Sequence, residues 1–109
     1  MGHMALFERH HGPESCLTGH LCMTMATSYY TVEGGWGTKG IAAVERAMSI
    51  TQRNYERNYD SMAELEEAAR QLAATKIARD GEVHDDPRML NVLRTIWEAL
   101  FKCRRVIVQ

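Results

Sequence analysis

The stretch from Asp86 to Phe101 constrains the fold more than any other part of the chain. Met89, Leu90, Leu93, Ile96, Trp97, Leu100 and Phe101 recur three and four residues apart, the spacing that places side chains on one side of a helix. Asp86-Pro87 stands in front of them. An aspartate accepts a backbone N–H at a helix start, and a proline has no N–H to leave unsatisfied there. A helix over 87–105 follows.

Two more segments carry the same period. Ile41, Val44, Met48, Thr51 and Tyr55 form a stripe that predicts a helix over 40–58. Ser61-Met62-Ala63-Glu64 matches a capping box, in which hydroxyl and carboxylate satisfy backbone N–H groups at a helix start. That predicts a second helix over 61–79 through Leu65, Ala69, Leu72 and Ala73, with Gly81 just beyond its end. A single long helix is the alternative, because Ile41, Met48, Tyr55, Met62 and Ala69 also repeat every seven residues.

The N-terminal third reads differently. Leu21, Met23 and Met25 alternate with Cys22, Thr24 and Ala26, and Tyr29, Tyr30, Thr31 and Val32 follow. Alternation with Thr, Tyr and Val predicts a strand over 21–32. Gly34, Gly35 and Gly37 then supply a sharp turn. Val106-Ile107-Val108 reads either as a short strand pairing with that segment or as the end of the last helix. The fold class expected is mainly α, about three helices with a short N-terminal strand or hairpin, and α+β as its variant. Residues 1–3 read as a cloning remnant and 4–109 as a single domain.

Charge narrows the function classes. Thirteen basic residues against fourteen acidic ones give a net charge of -1, so no strong field draws the whole molecule to nucleic acid or to an anionic membrane. Lys102, Arg104 and Arg105 suit the end of a helix dipole better than a phosphate patch. No apolar run approaches the roughly 20 residues that span a bilayer. Three cysteines, an odd number, make no closed disulfide framework, and a cytoplasmic location is the expectation.

His10, His11, Cys16, His20 and Cys22 crowd into thirteen positions, and zinc favours thiolate and imidazole donors in a tetrahedron. On a strand, His20 and Cys22 project from one face, and Cys16 with His10 or His11 completes the set. The other readings of this segment are solvated histidines with packed thiols, or a reversible Cys16–Cys22 disulfide. Asp80, Glu82, His84, Asp85 and Asp86 lack calcium-loop spacing and read as a solvated connection, with Asp86 occupied in capping.

Catalysis has no support in the sequence: no nucleophile elbow, zinc-protease pair, phosphate loop or dinucleotide fingerprint occurs. Seven methionines and an aromatic set of Tyr29, Tyr30, Trp36, Tyr55 and Tyr59 fit two readings equally: contact surfaces, where adaptable and aromatic side chains are enriched, or the core of a monomer. The expectation is a non-catalytic protein-interaction or regulatory module that self-associates as a homodimer, without cofactor. A zinc-binding protein is the alternative.

Overall fold

The computed structural model describes residues 15–55, 62–78 and 82–108, with side chains up to Lys102 and without that of Tyr55. The described residues form four helices: α1, Cys16–Glu33; α2, Thr38–Tyr55; α3, Met62–Ala78; and α4, Arg88–Val108. No strand occurs among them; the strand-like feature is one antiparallel bridge between Trp36 and His84.

The segment expected to be a strand is therefore helical, and its side chains show why. Gly19, Cys22, Met23 and Ala26 are buried at three- and four-residue spacing, which is a helix face made of small and flexible residues. Of the residues that looked like a strand, Thr24, Thr31 and Val32 lie on the exposed side. The hydroxyls of Thr24, Thr27 and Thr31 donate to the carbonyls of His20, Met23 and Thr27, one turn earlier, at 3.0–3.1 Å. Ser15 caps the start, its Oγ accepting from the Thr18 N–H at 3.1 Å. Gly34, at φ 76°, ends the helix in the left-handed conformation and donates its N–H to the Tyr30 carbonyl.

The described residues between 40 and 78 form two helices, not one. Lys76 near the end of α3 donates to the Glu45 carboxylate near the start of α2 at 3.3 Å. A continuous helix would hold these residues roughly 46 Å apart, at 1.5 Å of rise per residue. α3 therefore folds back along α2. The capping box that led to this expectation includes Ser61, which lies outside the described residues. At the other end of the chain the Val106-Ile107-Val108 alternative resolves as helix: α4 runs unbroken to Val108.

α1 packs most extensively on α2, and α4 touches all three other helices. The pairing of α1 with α4 is antiparallel: Gly19 lies by Leu100, His20 meets Trp97, and Thr27 shares a cleft with Leu90. Ile41, Val44, Met48 and Thr51 of α2 are buried as their stripe required, with Leu65, Ala68 and Leu72 of α3 and Met89, Val92, Ile96, Ala99 and Leu100 of α4. No described helix is long and apolar enough to cross a membrane.

Candidate interaction surface

The two short connections on either side of α1–α2 and α3–α4 are tied together at one end of the bundle. Trp36 and His84 exchange both backbone hydrogen bonds, the His84 N–H donating to the Trp36 carbonyl at 3.0 Å. Gly35 permits the approach, because a Cβ there would lie 2.8 Å from the His84 carbonyl oxygen. This clasp fixes Trp36 beneath the end of α1, its ring centroid 4.9 Å from that of Tyr30.

Above the clasp a cleft of about 220 Å³ opens between α1 and α4. Tyr30 and Trp36 form its aromatic wall, and Met89, Leu90 and Leu93 the opposite one. Thr27, Asp85 and Asp86 edge it. The Asp85 carboxylate near the Tyr30 hydroxyl raises the pKa of the phenol above its usual value. Asp86 accepts from the backbone N–H of Arg88 at 2.9 Å and from its guanidinium at 2.6–3.2 Å. That hydrogen bonding lowers the Asp86 pKa to about 2. What the cleft offers a visitor is apolar area.

The cleft continues into a stripe along α4. Leu90, Leu93, Trp97 and Phe101 share one side of the helix, one turn apart. Leu90 is 75% exposed and Phe101 59%, while Leu93 and Trp97 are half-buried. Trp97 is held edge-on against His20 of α1, with ring centroids 4.7 Å apart at 78°. Arg94 and Glu98, both exposed, flank the stripe.

Of the residues singled out as metal ligands, the helix separates His20 from Cys22. Two residues along a helix turn about 200°, so His20 and Cys22, which would share a face on a strand, point to nearly opposite sides. Cys16 is disulfide-bonded, and Cys22 is buried and in no disulfide, so the two are not joined to each other. Among the described residues no three His, Cys, Asp or Glu side chains gather as metal ligands would. His10 and His11 lie outside the described residues. Of the aromatic set, Tyr30 and Trp36 meet in the cleft. Tyr29 is half-buried with its Cβ close to Gly40, and the side chains of Tyr55 and Tyr59 lie outside the description.

Leu90, Leu93, Trp97 and Phe101 were legible only as core, because one period covered both sides of α4. Their signal was arc width. At about 100° per residue, the apolar positions from Met89 to Phe101 sweep roughly 200°, about twice what one buried face needs. Compared with protein-family models, with curated proteins and with solved structures, the chain matches none.

Proposed function

We propose that this protein is a non-catalytic interaction or regulatory module whose contact surface is the outer stripe of α4 together with the cleft at its N-terminal end. One observation carries the reading: Leu90 and Phe101, large apolar side chains, stand mostly exposed on the same stripe as Leu93 and Trp97. Scattered exposed leucines are ordinary, but an aligned row that leads into an aromatic-walled cleft is the form of a contact site. Aromatic anchors in such a row supply most of the affinity in protein interfaces. The Arg88 guanidinium already holds the Asp86 carboxylate, and Tyr30, Trp36, Met89, Leu90 and Leu93 line the cleft, so burial of apolar surface is the force for binding.

The test uses Nile red, a neutral dye that brightens on apolar surface, at high dilution. Leu90→Asp and Phe101→Asp should each cut the fluorescence by about threefold, a loss of less than 1 kcal/mol in dye binding. Ile77→Asp, which replaces an 81% exposed side chain on α3, should leave it unchanged. Equal loss from all three, or none from any, contradicts the assignment of this surface.

A further inference from the structure

We infer that the occupant of the cleft is Phe101 of a second copy of this chain, in a twofold dimer that crosses α4 against α4 antiparallel. The inference rests on the interaction reading above and names its partner. α4 carries both halves of a lock. At one end is the cleft beside Leu90 and Leu93; eleven residues on, Phe101 projects 59% exposed. The distance between them along the axis is about 16 Å. A twofold axis passing between Thr95 and Ile96 puts Leu90 of each copy opposite Phe101 of the other. Both aromatic side chains then reach the other molecule's cleft at once, as an isologous contact requires. The cleft, at about 220 Å³, has room for one aromatic ring. A cavity of roughly 150 Å³ already accepts benzene in an engineered lysozyme core.

The charges that flank the stripe select the same arrangement. In the antiparallel pairing Arg94 of one copy lies within one residue of facing Glu98 of the other, and the twofold axis creates this pair twice. A parallel twofold pairing would put the Arg94–Glu98 flanks of the two copies on opposite edges of the seam and form no such pair. Within one chain Arg94 donates to the Asn91 side-chain oxygen at 2.8 Å and makes no ion pair with Glu98. Among the described residues Glu98 has no ion-pair partner, so its carboxylate is available across the axis. Such flanking charges set orientation and partner choice more than affinity.

Sedimentation velocity over a concentration series tests the dimer. The wild-type chain should pass from monomer to dimer. Phe101→Ala should weaken association by about tenfold or more, the usual loss on truncating a central aromatic anchor. Arg94→Glu and Glu98→Arg should each weaken it, because either reversal makes two like-charge contacts per dimer. An equimolar mixture of those two variants should associate again, since both contacts in the heterodimer join Glu to Arg. Thermal melts matching wild type, at a dilution where both are monomeric, would establish that each variant is folded.

A wild-type chain that stays monomeric throughout overturns the inference. If the Nile red result holds in that case, the interaction reading stands and the occupant is a different protein. If it fails as well, both fall. A dimer indifferent to Phe101→Ala, or single variants that fail to rescue each other, places the interface on another face and overturns the inference equally.

Discussion

Among the described residues neither ring nitrogen of His84 has a hydrogen-bond partner, and the residue is 8% exposed. An unpaired buried donor or acceptor costs about 1–3 kcal/mol, and an imidazole has one of each when neutral. The residue is held there by its backbone, through the bridge to Trp36, which positions one wall of the cleft. Its ring is therefore an expense the main-chain geometry does not need. His84→Leu keeps the bridge and removes both orphan atoms, and should raise unfolding free energy in urea by about 1 kcal/mol or more. A loss of stability would show that the imidazole is satisfied in solution. Nothing in the composition of Asp80, Glu82, His84, Asp85 and Asp86 revealed this burial. The cluster reads as solvated, and only the pairing with a residue nearly fifty positions earlier draws His84 inward.

The helices differ in how openly their sequences declare them. α2 and α4 carry polar faces opposite apolar ones, so periodicity located both, and the Asp86-Pro87 start of α4 is confirmed by the Arg88 N–H on the Asp86 carboxylate. α1 has no such contrast, being apolar or weakly polar on all sides, and its exposed threonines and Val32 favour strand when read alone. Packing overrode that preference: Gly19 lets α1 approach until a Cβ there would be 3.0 Å from Leu100 and 3.2 Å from Ile50. The odd cysteine count misled in a comparable way. Three cysteines rule out complete pairing, yet they allow Cys16 to be bonded while Cys22 remains a thiol.

The Asp86 cap makes a prediction about pH at this scale. Its folded pKa, about 2, lies below the ordinary 3.8 because Arg88 donates to the charged form. A lowered carboxylate pKa adds stability that is fully present above about pH 4 and is lost as pH falls toward 2. Asp86→Ala should therefore cost about 1 kcal/mol at neutral pH, a usual value for a helix cap. The gap between variant and wild type should narrow from pH 4 to pH 2 in urea titrations. A gap that does not change with pH would mean that the carboxylate charge contributes nothing to the cap.

In the whole molecule, α4 joins the fold to the proposed contact surface. It touches every other described helix and contributes Met89, Val92, Ile96, Ala99 and Leu100 to the core. Its remaining apolar side chains turn away from that core toward solvent. A chain that buried all of them would need a fifth element over α4, and the described residues supply none. The mainly helical character was readable from periodicity. The division of α4 into an inner and an outer face was not, because spacing alone does not say how many partners a helix has.

Thermal denaturation of paired aspartate substitutions on α4 tests this division most directly. Leu90→Asp and Phe101→Asp place a charge where water already reaches, and each should melt within about 3 °C of wild type. Ile96→Asp and Leu100→Asp bury an unpaired carboxylate and should remove most of the cooperative transition, since a loss of several kcal/mol approaches the whole stability of a small domain. Equal damage from both pairs would mean that the outer stripe is core, and the proposed contact surface would not exist.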